Sequence, residues 1–201
     1  MPHRDTSATD RGHGWRIPEH YNIGADVLDR HARSRPTATA LIFEHADGRV
    51  ERWSFAGVHQ QSNRLANALR GLGIERGDRI GLLLAQCPEA AVAHTAVYRI
   101  GAVAVPLFTL FGAEALRYRL ADCGARALIT DAACAETIAE LRDALPALEH
   151  VITVADASAP GDHDWTALLQ RASDRYTPLA TSAEAPALII YTSGTTGPPK
   201  G

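Results

Sequence analysis

The chain has 201 residues, of which 46% are hydrophobic, and its net charge at pH 7 is −3. A chain of this size and composition can bury the core of one globular domain and is not an intrinsically disordered protein. The near balance of acidic and basic residues argues against binding to nucleic acid or to an anionic membrane surface.

The N-terminal stretch and the cysteines bear on the compartment. Residues 1–14 are polar and contain no apolar h-region, so no signal peptide is predicted, and no apolar run is long enough to span a bilayer. Cys87, Cys123 and Cys134 are odd in number and form no CxxC pair, which favours free thiols in a reducing compartment such as the cytoplasm. The nine histidines show no metal-ligand spacing, so no metal-binding residue is predicted.

The first predicted elements are a leader, a helix and a hairpin. Residues 1–20 mix Pro, Gly, Ser, Thr and charges without periodicity, so they are predicted to form a flexible leader. A helix is expected from about Ala25 to Arg33. Residues 40–43 and 50–53 then flank Asp47-Gly48, a strong signal for a β-hairpin turn.

A long amphipathic helix is predicted next. Ser54 has the side chain of an N-cap, and glycines 71 and 73 are typical of a helix end. Val58, Leu65 and Leu69 recur at helical spacing and define the apolar face.

The rest of the chain alternates between short apolar runs and helical patterns. Strands are predicted at 80–85, 102–105, 127–130, 150–154 and 187–192. Helices are predicted at 88–100, with Pro88 first, at 113–121, at 132–145 and, capped by Asp164, at 164–170. This alternation predicts an α/β fold with a parallel sheet, in which ligands bind beyond the carboxyl ends of the strands.

The last eleven residues carry the chemistry. Residues 191–201 read YTSGTTGPPKG and follow the apolar run 187–190, which is predicted to be a buried strand. Glycines allow the backbone to lie close to a ligand, hydroxyls donate to phosphate oxygens, and successive N–H groups can form an anion-binding concavity. Lys200 adds a mobile positive charge, so the pattern indicates a loop that binds the phosphates of a nucleotide.

Two other interpretations were compared with this one. A Walker A loop needs its lysine between a glycine and a hydroxyl residue, but Lys200 lies between Pro199 and Gly201, which excludes a P-loop NTPase. An ordinary Ser/Thr/Gly/Pro surface turn is the plainer alternative. The density of hydroxyl residues directly after an apolar run favours the phosphate loop.

The loop resembles the signature loop of the AMP-forming adenylating enzymes, a superfamily of acyl-CoA synthetases, peptide-synthetase adenylation domains and firefly-type luciferases. The match covers residues 191–201 without gaps. Three upstream segments are also similar to the family: Trp53-Ser54-Phe55, the turn at 77–81 and the segment 99–107. The resemblance covers about residues 20–201, and it implies the N-terminal part of an AMP-binding (adenylation) domain over residues 21–201.

The resemblance implies ATP-dependent activation of a carboxylic acid to acyl-AMP, with coenzyme A as co-substrate and Mg²⁺ as cofactor. It assigns ATP phosphate binding to Thr192, Ser193, Gly194, Thr195, Thr196, Gly197 and Lys200. It also implies a Mg²⁺ and adenine segment, a ribose-binding Asp and an adenylation Lys, none of which is found up to Gly201. No catalytic residue is therefore assigned, and the chain is expected to be truncated after the loop and inactive alone.

The substrate and the exact role stay open at this level. The segment 106–112, PLFTLFG, is similar to acyl-CoA synthetases for short- to medium-chain or aromatic acids, and Phe108 and Phe111 suit either plain packing or a place near the substrate. A peptide-synthetase adenylation domain and a non-catalytic product that binds nucleotide weakly or a protein partner remain as alternatives. The oligomeric state is not predicted.

Overall fold

The computed structural model describes residues 16–154, 159–192 and 199–201. The helices are α1 (Ile23–Ser34), α2 (Phe55–Gly71), α3 (Pro88–Arg99), α4 (Ala113–Asp122), α5 (Ala132–Leu141) and α6 (Trp165–Gln170). The strands are β1 (Thr39–Glu44), β2 (Val50–Ser54), β3 (Arg79–Leu83), β4 (Val103–Pro106), β5 (Ala127–Asp131), β6 (His150–Val154) and β7 (His163–Asp164). Among these described residues, no helix is both long and apolar enough to cross a membrane.

Five strands form the central sheet, in the order β4-β3-β5-β6-β7, and every neighbouring pair is parallel. Strands β1 and β2 form a separate antiparallel hairpin. The predicted α/β fold with a parallel sheet is therefore confirmed.

Helices cover both faces of this sheet. Side chains alternate between faces along a strand, so Ile80 and Leu82 of β3 join one buried cluster while Leu83 joins another. The first cluster packs against α2, α3 and α6, and the second packs against α4 and α5. Near-continuous apolar strands are typical of a sheet buried on both faces.

Local signals positioned most element ends correctly. Gly57 N donates to Ser54 Oγ at 3.1 Å, Ala167 N donates to Asp164 Oδ1 at 2.6 Å, and α3 begins at Pro88. The turn between β1 and β2 places Gly48 at φ 82°, the left-handed region that glycine favours.

Two predicted elements differ in the structure. The expected helix 132–145 ends at Leu141 and continues as one 3₁₀ turn, Arg142–Ala144. The expected buried strand 187–192 was wrong as stated: it pairs with β4 only through the bridge between Ala104 and Leu188, and Leu188 and Ile190 are exposed. Only one face of this edge segment is covered by the described chain, since Ile189 and Tyr191 pack on the second cluster while their neighbours do not.

A buried ion pair fixes α1 to α3. The Arg99 side chain is fully buried, and its Nη1 donates to Asp29 Oδ1 at 2.5 Å. Gly24 lies at the same helix crossing, where an added Cβ would meet the Thr95 backbone. The absence of a side chain at Gly24 thus allows the close approach that buries the pair.

The start of the described chain is bonded to a segment near its end. Tyr21 N donates to Thr181 O at 2.8 Å, and Thr181 Oγ1 donates to Tyr21 O at 2.7 Å. Within the predicted leader, Glu19 O accepts from Ala183 N, while residues 1–15 lie outside the described part of the chain. These bonds join backbone positions about 160 residues apart.

Candidate functional site

The candidate site is the loop between Tyr191 and Gly201. Of the residues assigned to phosphate binding, Ser193, Gly194, Thr195, Thr196 and Gly197 lie outside the described residues, and Thr192 and Lys200 lie within them. Thr192 N donates to Lys200 O at 3.0 Å, and Lys200 N donates to Thr192 O at 3.2 Å. This reciprocal antiparallel pair closes the two ends of the loop onto each other.

The fold positions the closed loop at a sheet edge. Ala104 N donates to Ala187 O at 3.0 Å and Ile189 N donates to Ala104 O at 2.9 Å, so residues 187–189 run parallel to β4. Since this segment is parallel to β4, Thr192 follows it on the side where β4 ends. That is the edge at which parallel sheets bind ligands.

Helix α4 contacts both ends of the loop. The Tyr118 hydroxyl donates to Pro199 O at 3.1 Å, and the Tyr191 hydroxyl donates to Asp122 Oδ2 at 2.5 Å. Burial, together with this bond to Asp122, raises the pKa of Tyr191 above its ordinary value. The phenol therefore remains a neutral donor at physiological pH.

A buried guanidinium lies between α4 and the strand that leads into the loop. The Arg119 guanidinium carbon is 4.0 Å from the Phe111 ring centroid and 5.8 Å from that of Tyr191. Nη1 of Arg119 donates to Ala115 O at 2.8 Å, while its buried Nε has no hydrogen-bond partner among the described residues. Sequence reasoning missed this residue and the two α4 side chains that touch the loop ends.

Lys200 is the only lysine of the chain, and the other 19 of its 20 basic residues are arginines. It is exposed, and among the described residues it makes no ion pair. A compact ammonium on a flexible stem suits a phosphate approached as a point charge. The geometry therefore leaves this charge available at the neck of the loop.

A cavity of about 490 Å³ opens at the ends of β3 and β4, next to the segment 106–109. Phe108 is 59% exposed and lines it, together with His94. Phe111 instead packs against the second cluster and under Arg119. The two phenylalanines therefore divide: Phe111 is a packing residue, and Phe108 faces a cavity.

The described residues provide neither a metal cluster nor an activated thiol. Within ranges 16–154, 159–192 and 199–201, no three His, Cys, Asp or Glu side chains lie close enough to hold a metal ion. Burial raises the pKa of Cys87 and of Cys134 to about 11 each, so both thiols stay protonated near neutral pH. A protonated thiol is a poor nucleophile and a poor metal ligand.

Comparison with known proteins adds a family match and sequence relatives. A family model described as AMP-binding enzyme matches residues 28–201. The acetyl-coenzyme A synthetase of Syntrophus aciditrophicus is 37% identical over 196 residues, which cover 90% of this chain and 30% of that protein. The human mitochondrial acyl-coenzyme A synthetase ACSM5 is 34% identical over 190 residues, covering 92% of this chain and 33% of that protein.

Solved structures agree with these relatives. The anthranilate CoA ligase AuaEII, crystallised with anthranoyl-AMP, superposes with a TM-score of 0.84 at 31% identity, covering 91% of this chain and 34% of that one. An acyl-CoA synthetase of Brucella canis gives a TM-score of 0.81 at 29% identity, covering 90% and 33%. The chain thus spans about a third of the length of the relatives it matches.

Proposed function

The chain belongs to the AMP-binding enzyme family, and from this we propose that it carries the phosphate-binding loop of an AMP-forming acyl-CoA synthetase. The observation that carries the proposal is the reciprocal pair between Thr192 and Lys200, which closes the family's signature loop and holds the only lysine of the chain at its neck. The relatives support the reaction class, because they include acetyl-, acyl- and anthranilate-CoA ligases. The proposed compartment is the cytoplasm.

In the proposed reaction, a carboxylate oxygen of the substrate acid forms a bond to the α-phosphorus of ATP. The bond between that phosphorus and the oxygen that bridges to the β-phosphorus breaks. Pyrophosphate leaves with that electron pair, and the thiol of coenzyme A then displaces AMP from the acyl carbon. Transfers of this kind depend on positioning and on neutralising the charge of the phosphates. The protein contributes both functions at the leaving pyrophosphate.

The assigned residues divide this work. Lys200 neutralises charge on the β- and γ-phosphates, and the hydroxyls and amides of the loop hold their oxygens. The loop residues are Thr192, Ser193, Gly194, Thr195, Thr196 and Gly197. Mg²⁺ usually binds to one or two carboxylates together with substrate phosphates, and no residue of the chain is assigned to it.

The single lysine makes the proposal testable by amine labelling. In the 201-residue chain, an amine-selective reagent modifies Lys200 and the α-amino group, and the α-amino group then serves as an internal reference. Trypsin releases the peptide 176–200 only when Lys200 is unmodified, so mass spectrometry reads its labelling directly. Mg-ATP and Mg-pyrophosphate should slow labelling of Lys200, and AMP, which lacks the β- and γ-phosphates, should not.

The kinetic experiment should use the native product in the length in which the cell makes it. The intact mass of that product, obtained with an antibody against this region, defines the length. In ATP–pyrophosphate exchange with acetate, butyrate and benzoate as acids, Lys200→Gln should raise the KM for ATP about ten- to hundred-fold, the worth of a hydrogen bond to a charged group. Lys200→Arg keeps the charge and should lose less.

Equal protection by AMP and ATP, or exchange that Lys200→Gln leaves unchanged, would refute the phosphate-binding role. ATP–pyrophosphate exchange that does not depend on an added carboxylic acid would refute the synthetase assignment.

A further inference from the structure

Both ends of the phosphate loop are held by one face of one helix. Tyr118 and Asp122 are four residues apart on α4, so their side chains lie on the same helical face. Tyr118 holds the exit of the loop through Pro199 O, and Asp122 holds its entry through the Tyr191 hydroxyl. These are side-chain bonds across 81 and 69 residues of sequence.

The bonded positions are the ones that decide where Lys200 lies. Pro199 precedes Lys200 directly, and Tyr191 precedes Thr192, the partner of Lys200 in the reciprocal backbone pair. The two α4 bonds therefore flank that pair on both strands of the neck. A shift of either strand would move the ammonium relative to the loop.

The helix itself is fixed by the core. Leu116 and Leu120 are each 1% exposed and pack in the second cluster. On the adjoining face, the Arg119 guanidinium stacks on Phe111 and faces the ring of Tyr191. The helix that contacts the loop is thus held by the close-packed core of the domain.

A rigid support matters for a loop of this composition. Glycine-rich, hydroxyl-rich segments lose much conformational entropy when a ligand orders them, and preorganisation reduces that cost of binding. We propose that Tyr118 and Asp122 are positioning residues, an α4 clamp that orders the loop neck for nucleotide phosphates before ATP binds. This proposal rests on the proposed function of the loop.

The first test measures the clamp without any nucleotide. In the 201-residue chain, Tyr118→Phe removes one hydroxyl and keeps the ring, and hydrogen exchange of the Thr192 and Lys200 amides reports the opening of the neck. Exchange should become about three- to ten-fold faster, as expected for the loss of one hydrogen bond. Tyr98→Phe is the matched control, since the Tyr98 hydroxyl is hydrogen-bonded to His94 Nδ1 at 3.2 Å and, within the described ranges, not to the loop neck.

A second variant tests the other strand of the neck. Tyr191→Phe removes the bond to Asp122, and Tyr21→Phe removes a Tyr–Asp bond of the same chemistry, 2.8 Å long, beside α1. Only the former should raise exchange at Thr192 and Lys200. Both variants keep an aromatic ring, so the packing remains in place.

The third measurement is kinetic, on the native-length product. If the loop grips the β- and γ-phosphates equally in the ground state and in the transition state, Tyr118→Phe should raise the KM for ATP about three- to ten-fold, leave kcat unchanged and leave the KM for coenzyme A unchanged. A residue with a merely structural role would lower the amount of active enzyme and would not shift one KM alone.

The outcomes separate the two proposals. Exchange at Thr192 and Lys200 that is the same in Tyr118→Phe and Tyr98→Phe overturns the clamp, whether or not ATP binds. Faster exchange with an unchanged KM for ATP overturns the positioning role. A wild-type protein that catalyses no ATP–pyrophosphate exchange overturns the proposed function. Hydrogen exchange of the amides still decides whether α4 holds the neck.

Discussion

Replacing Gly24 by alanine is expected to force α1 away from α3. An ideal Cβ at this position would lie 2.6 Å from Thr95 O, 2.7 Å from Arg99 Cγ and 3.1 Å from Arg99 N. Relaxed contacts between carbon and a carbonyl oxygen are about 3.3–3.6 Å, so the helices must separate by roughly 0.7 Å or more. Two of the three neighbours are backbone atoms, which cannot swing aside.

The magnitude follows from two opposing effects. Overpacking of this kind costs about 1–3 kcal/mol, and alanine recovers about 0.4–1 kcal/mol by restricting the unfolded chain. The separation also disturbs the buried pair of Arg99 and Asp29, which lies at the same crossing. The two effects leave a loss of up to about 2.6 kcal/mol, and the disturbed ion pair adds to it, so we expect a net loss of about 1–3 kcal/mol, which for a chain of this size lowers Tm by roughly 2–12 °C.

Thermal and urea unfolding, followed by circular dichroism, measure this loss. Gly71→Ala is the matched control, because Gly71 also lies within a helix, as the last residue of α2. It is exposed, and a Cβ added there would meet nothing within 4 Å. The control should be stabilised by about 0.5–1 kcal/mol. If Gly24→Ala gained stability as Gly71→Ala does, the close approach of α1 to α3 would be refuted.

Three further changes test the fold. Asp29→Asn leaves the buried Arg99 charge without its partner and should cost about 3–5 kcal/mol in urea unfolding; a loss below about 1 kcal/mol would contradict the burial of the pair. Asp131→Ala removes the side chain that accepts from Cys134 N at 3.0 Å and should cost about 1 kcal/mol, and an unchanged midpoint would show that α5 needs no cap. Burial lowers the pKa of His94 below its ordinary 6.5, so the unfolded chain takes up a proton that the folded chain excludes. Stability is therefore present above about pH 6.5 and is lost as the pH falls through the lowered pKa; His94→Gln should reduce this acid loss in a pH series of melting curves, and an identical pH dependence would count against the assignment.

The features that the sequence predicted correctly are local ones. Ser54 and Asp164 cap their helices because the hydroxyl or carboxylate reaches an amide only three residues away, and this spacing is visible in the sequence. The parallel sheet was also predictable, since short apolar runs alternating with helical patterns leave few other arrangements. The phosphate-binding role of residues 192–200 stays a prediction from their composition, the preceding apolar run and the family resemblance.

What was missed depends on contacts between distant parts of the chain. Nothing in the pattern around Tyr118 or Asp122 indicates that they bind residues that lie 81 and 69 positions further along the chain. Arg99 carries a charge, and charged residues are seldom fully buried, yet Asp29 on another helix makes its burial possible. The apolar run 187–190 was predicted to be buried, but Leu188 and Ile190 are exposed. Hydrophobicity shows that a segment is apolar; it does not show which of its faces a neighbouring element covers.

The bonds between Tyr21 and Thr181 have a consequence for how the chain is made. At about 5–20 residues per second, a ribosome adds Thr181 roughly 8–30 s after Tyr21, far longer than helices need to form. During that interval α1 can dock on α3, but the backbone partners of Tyr21 do not yet exist. The hydrogen bonds between Tyr21 and Thr181 therefore form late in synthesis. A nascent chain released before Thr181 would never form them.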